Sequence, residues 1–163
     1  MRQSRILLFM AFFLCLLVFH TPLYCGENPY TFQKNVMIPM SDGVKLAANL
    51  FIPTGNGVFP TLLIRSPYGK SDENFGLGKQ YASQGYVVVA QDCRGKGDSE
   101  GIWDPFRYEV QDGLDTQEWV GTQSWCDGKI GTWGGSYVGW TQWASAPYAS
   151  KYLKTMIPVV PFT

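Results

Sequence analysis

Histidine is almost missing from this sequence: there is one in 163 residues, His20. After Ser136 there is no Asp, Glu or His at all. Imidazole is the side chain best suited to moving protons near neutral pH, so the chain holds little general acid–base capacity of its own. Excess charge of either sign is also missing. Thirteen basic and thirteen acidic residues cancel, and without Arg2 and Arg5 near the N-terminus eleven basic residues face thirteen acidic ones. Such a balance gives no field for gathering nucleic acid or an anionic membrane, and neither is expected as a partner. Cysteine is scarce. Of the four, only Cys93 and Cys126 lie clear of the N-terminal segment, and no short pairing motif makes them metal ligands. Internal repeats, low-complexity tracts and linkers are absent too, so the remainder reads as one domain of ordinary size.

Only one long apolar run occurs. Arg2 and Arg5 are followed by fourteen uninterrupted apolar residues from Ile6 to Phe19. A positive start with a run of this length fits a signal peptide and is short for a spanning helix, which needs about 20 residues. Residues 1–26 are therefore expected to be an export signal, with cleavage near Cys25 or Gly26. The mature protein, 27–163, is then secreted or periplasmic without a stable membrane span. An uncleaved anchor is the alternative. Cys25 suits a lipid anchor less well, because bulky Tyr24 precedes it where a small residue is needed.

From Asn35 onward, strand and helix signals alternate. Residues 36–39 and 45–51 read as strands joined by a hairpin at Asp42-Gly43, since glycine accepts positive φ freely. Thr61–Arg65 and Tyr86–Ala90 are short, continuously apolar strands of the kind buried on both faces of a sheet. A helix is expected from Glu73 to Gln84, stopping at Gly85, and another from Gln111 to Val120. Lys129–Trp133 is a strand, followed by a turn at Ser136 and a helix ending before Pro147. A last strand runs from Thr155 to Val160. This order describes an α/β fold with a mostly parallel sheet. Six tryptophans without regular spacing read as packing residues rather than a ligand site.

Three runs carry chemistry. Gly134-Gly135-Ser136-Tyr137-Val138-Gly139 lies between a strand and a helix, where a serine on a sharp turn exposes its hydroxyl at the strand end. The helix N-terminus beyond it, including the Tyr137 N–H, favours a developing oxyanion. The common form of this elbow has glycine where Val138 stands. Arg65-Ser66-Pro67-Tyr68-Gly69-Lys70 follows the Thr61 strand, in the loop that usually gives the second oxyanion donor. The Tyr68 hydroxyl, or simply an aromatic packed over the sheet edge, fills that place. Gly69-Lys70-Ser71 imitates the end of a phosphate loop, but Ile64 stands where its first glycine belongs. Asp92 to Gly101 is glycine-rich without dinucleotide spacing, and Asp92 and Arg94 are expected to bond loop backbone. No cofactor or metal is called for.

Arg65 to Tyr68, Asp92 to Gly101, and the elbow run extended back to Trp125 resemble the cocaine-esterase and X-prolyl dipeptidyl-peptidase group of α/β-hydrolases. The likeness covers about 35–163, and the group's elbow has the same Ser-Tyr-x-Gly form. It implies the N-terminal portion of an α/β-hydrolase fold, with Ser136 as nucleophile, Tyr68 as oxyanion-hole hydroxyl and Tyr137 as the second donor through its backbone N–H. The group cleaves ester and amide bonds of small or peptide acyl substrates through an acyl-enzyme. Its members include esterases, β-lactam acylases and dipeptidyl-peptidases, and they carry a helical cap and a C-terminal jelly roll that are not in this chain. In that fold the Thr61 strand separates Cys93 from Cys126, and a disulfide needs Cα atoms within about 7 Å, so none is expected. A serine without a base is a weak nucleophile. The chain alone is thus expected to be a nearly inactive N-terminal fragment. A non-catalytic binding or decoy module derived from such a hydrolase is the alternative.

Overall fold

A computed structural model describes residues 29–70 and 76–160. The expected signal peptide, the first residues of the helix expected from Glu73, and residues 161–163 lie outside them. Among the described residues no helix is long and apolar enough to cross a membrane.

Six strands of the described residues form one sheet: β1 (Tyr30–Pro39), β2 (Lys45–Pro53), β3 (Phe59–Ser66), β4 (Val87–Asp92), β5 (Cys126–Gly135) and β6 (Leu153–Val159). Their spatial order is β1-β2-β4-β3-β5-β6. β1 pairs antiparallel with β2, and β2 with β4. The pairs β3–β4, β3–β5 and β5–β6 are parallel. This is the mostly parallel α/β sheet expected from the alternation of signals. β1 begins six residues earlier than its apolar stretch suggests, because a bulge after Gln33 lets it follow β2 to its end. Asn35 takes a positive φ of 54° in that bulge, and its N–H donates to Asn49 Oδ1 at 3.1 Å.

Among the described residues three α-helices flank the sheet: α1 (Leu77–Ala82), α2 (Glu109–Gly121) and α3 (Tyr137–Ser145), followed by a 3-10 turn at Ala146–Tyr148 that takes up Pro147. Alternation along the strands divides the apolar side chains between two faces. Leu46, Ala48, Leu50, Leu63, Val87, Val89 and Ile130 form one cluster, closed by Val120 of α2 and a T-shaped Trp119–Trp125 pair. Phe51, Ile64 and Val88 form the other with Ala82 of α1 and Val138 of α3. α1 lies so close that a Cβ on Gly78 would sit 2.5 Å from the Phe51 ring. β3 runs between β4 and β5, and Cys93 and Cys126 are both free thiols, as the topology requires. The fold therefore brings the carboxyl ends of β3, β4 and β5 side by side, the place where open α/β sheets gather their chemistry.

Candidate active site

Ser136 sits at the junction of β5 and α3 with φ 55° and ψ −127°, a backbone conformation costly for a residue with a side chain. The surroundings hold it there. Its N–H donates to Val159 O of β6 at 3.0 Å, and its carbonyl accepts from Gly139 and Trp140 at 2.9 and 3.0 Å, closing the first turn of α3. Gln142 ties the helix to the sheet: its amide donates to Gly134 O, while its Oε1 accepts from Thr132 Oγ1 and Ile157 N–H.

The departure at Val138 has a steric explanation. Gly134 has φ 145°, and a Cβ there would lie 2.2 Å from Val138 Cγ1. The missing side chain at Gly134 makes room for Val138, which fills the second apolar cluster instead of leaving a gap.

Tyr68 reaches Ser136 from the loop after β3. The two hydroxyl oxygens are 3.3 Å apart, with either able to donate. Its side chain is 66% exposed, so the ring is presented to solvent rather than packed over the sheet. The loop beneath it is fastened at several points. Tyr68 N–H donates to Ser66 Oγ at 3.0 Å, and Ser66 O accepts from Cys93 N–H at 2.9 Å. Asn49 Nδ2 donates to Lys70 O at 2.8 Å. The buried Lys70 ammonium donates to Asp92 Oδ2 and Asp98 Oδ2, each at 2.7 Å. Burial works against this ammonium, but its carboxylate bonds outweigh that and raise its pKa. The same contact lowers the Asp98 carboxyl.

Tyr137 opens α3, with its backbone N–H directly after the serine. Its side chain turns inward and is 6% exposed. The phenol donates to Glu109 Oε1 at 3.1 Å and accepts from Phe106 N–H at 2.9 Å. Burial is the main reason its pKa stands above the ordinary phenol value. Rings of Trp103, Phe106 and Trp140 surround it at centroid distances of 5.1 to 5.8 Å.

Below the tyrosine lies a buried ionic network. Arg65 Nε donates to Gln91 Oε1 at 2.8 Å, and its Nη2 pairs with Glu109 Oε2 at 3.0 Å. Arg94 was expected to bond loop backbone, and that reading is corrected. It grips Asp112 through Nε and Nη2 at 3.1 and 2.6 Å, and reaches Asp42 through Nη1 at 2.7 Å. The fully buried Asp112 carboxylate needs a fork-shaped cation more than the loop needs a donor. Asp92 does bond loop backbone, accepting from Asp98 N–H at 3.0 Å, and its other partner is Lys70. Burial raises the Cys93 thiol well above its ordinary value, which leaves it inert. Among the described residues no group of three His, Cys, Asp or Glu could hold a metal ion.

The fold thus brings Ser136, Tyr68 and Tyr137 together. Sequence reasoning missed Lys70, Asn49 and Glu109, whose partners lie far away along the chain, and Gln142, whose partners lie on the neighbouring strands. Lys70 carried the one available signal, a cation in the loop that follows a buried strand.

Comparisons with known proteins bear on the fold and the family. Residues 42–163 match the model of the X-Pro dipeptidyl-peptidase (S15) family. The cocaine esterase of Rhodococcus sp. (strain MB1 Bresler) is 42% identical over 138 residues, covering 81% of this chain and 24% of the esterase. A CocE/NonD family hydrolase from Staphylococcus aureus superposes with a TM-score of 0.71 at 32% identity, covering 78% of this chain and 27% of that one. An α-amino acid ester hydrolase superposes at 0.74 with 31% identity, covering 88% and 28%. The chain therefore spans about a quarter of the length of these relatives. With a matching sequence model, a matching fold and the serine elbow in place, the chain belongs to the X-Pro dipeptidyl-peptidase (S15) family of α/β-hydrolases.

Proposed function

We propose that the protein containing this chain is a serine hydrolase that cleaves ester or amide bonds through an acyl-enzyme. The observation that carries this reading is the 3.3 Å approach of the Tyr68 hydroxyl to Ser136 Oγ at a strained elbow. Ser136 Oγ attacks the acyl carbonyl as its proton passes to a base, which returns that proton to the departing alcohol or amine. The carbonyl oxygen, now an oxyanion, takes hydrogen bonds from the Tyr68 hydroxyl and the Tyr137 N–H. Collapse of the tetrahedral intermediate expels the alcohol or amine and leaves the acyl group on Ser136, and water then releases it. Tyr68 acts as a hydrogen-bond donor through its hydroxyl.

The base that activates Ser136 must come from outside this sequence, because no histidine follows His20. The three quarters of the relatives' length that the chain does not span is its natural source. The apolar run near the N-terminus supports action after export, and N-terminal sequencing of the mature protein checks that.

The test is intact-mass measurement after treatment with a fluorophosphonate. The full gene product should label once, at Ser136, and Ser136→Ala should not label. The chain alone should label only slowly. Rapid stoichiometric labelling of the chain alone would show that no base is needed. Absence of labelling in the full product favours the second reading, a non-catalytic binding module.

A further inference from the structure

Lys70 stands outside the reaction just described, yet its ammonium and its carbonyl are both held by side chains of other elements. Tyr68 presents its hydroxyl from a side chain that is two-thirds exposed, with little packing to hold it over Ser136. Two residues later the chain dives inward. Lys70 is 5% exposed, and its ammonium spans Asp92 at the end of β4 and Asp98 in the following loop. Its carbonyl is held by Asn49 of β2. The receiving side is shaped to match: Gly97 has φ 51°, and a Cβ there would lie 2.1 Å from Asp92 Oδ2, where the ammonium and the Asp98 N–H also converge.

Burying an ammonium between two carboxylates gains little net stability over an apolar replacement of the same shape. What it supplies is geometry, through short charge-assisted bonds of defined direction. We infer that Lys70 is a positioning residue: by anchoring the end of the β3 loop to Asp92 and Asp98, it fixes the Tyr68 hydroxyl against Ser136. This inference rests on the hydrolase reading above. It assigns Asp92 and Asp98 to holding the oxyanion hole from behind rather than to proton transfer. A donor held in advance of the reaction is worth far more than one that must be ordered during it, so the consequence should be kinetic.

The experiment is a double-mutant cycle in the full gene product, reading the rate of acylation by a p-nitrophenyl ester at saturation and the half-saturating concentration. Tyr68→Phe should lower the rate about 10²- to 10³-fold. Lys70→Met, which keeps the apolar stem and removes the charge, should lower it on the order of tenfold or more with half-saturation unchanged. In the Tyr68→Phe background Lys70→Met should add less than about twofold, because its effect passes through the missing hydroxyl. Effects that multiply in full, or a Lys70→Met enzyme as fast as the parent, overturn the inference. If Lys70→Met does not fold, Asp98→Asn weakens the same clamp from its exposed end, and the same cycle with Tyr68→Phe decides. If Tyr68→Phe alone changes nothing while Ser136→Ala abolishes acylation, the oxyanion role of Tyr68 fails, and the Lys70 inference with it. If even the parent does not acylate, the hydrolase reading itself fails.

Discussion

The two tyrosines beside Ser136 are held in opposite ways. Tyr137 is sunk into the fold, its phenol between Glu109 and the Phe106 N–H and its ring among three other aromatics. Tyr68 stands largely in solvent on a loop secured from below by Lys70 and Asn49. One presents a backbone N–H at the start of a helix. The other presents a side-chain hydroxyl from a loop. Damage on the Tyr137 side should therefore register as lost stability, whereas damage on the Tyr68 side should register as lost rate.

Glu109→Ala probes the first half most severely. It leaves Arg65 buried without its nearest carboxylate and removes the acceptor of the Tyr137 phenol. Breaking one partner of a buried pair costs about 3–5 kcal/mol, so urea unfolding should show a loss of that order or an insoluble chain. Unchanged stability would mean that Tyr137 is no better anchored than Tyr68.

Tyr68→Phe is the counterpart. Stability should change by less than about 0.5 kcal/mol, as for other exposed positions. Acylation of Ser136 in the full gene product should fall by the equivalent of about 3 kcal/mol in barrier. A variant that loses stability instead would put Tyr68 in the packing of the domain.

Gly134→Ala tests the elbow shared by both. The positive φ and the contact with Val138 should together cost about 2 kcal/mol. Combining it with Val138→Ala should restore part of that loss, since the opposing methyl is removed. Two independent, additive losses would place the strain at the backbone alone.

How much of this was legible in the sequence follows the range of the interactions. The elbow is local: Gly134, Ser136 and the helix after it are consecutive, so spacing reveals them, and the apolar strands are read from their own composition. For Tyr68 the residues alone leave two readings open, and the oxyanion role comes from the family resemblance. The ionic network was not legible. Arg94 meets Asp112 and Asp42 across 18 and 52 positions, and Lys70 meets Asp92 across 22. No periodicity encodes such pairs. The bulge in β1 escaped for a similar reason, since an Asn35 at positive φ is stabilised by Asn49 from the neighbouring strand.

The smallest expected effect concerns acid, and it separates the clamp under Tyr68 from the network under Tyr137. Asp98 is held below its ordinary value by the hydrogen bond from Lys70, and Asp42 by the one from Arg94, the ordinary value of each being 3.8. A carboxyl whose folded value is depressed stabilises the fold above its unfolded value, and that contribution is lost as pH falls through the folded one. The midpoint of thermal unfolding should therefore be nearly level from neutral pH to about pH 5 and decline below about pH 4. Both carboxylates are exposed, so water screens the pairs and each contribution is modest. Asp98→Asn should remove part of the acid-dependent decline while slowing acylation, because it loosens the Lys70 anchor. Asp42→Asn should remove a similar part of the decline and leave the rate alone, because Arg94 keeps both oxygens of Asp112. Equal kinetic effects of the two substitutions would show that the two halves of the site are one mechanical unit.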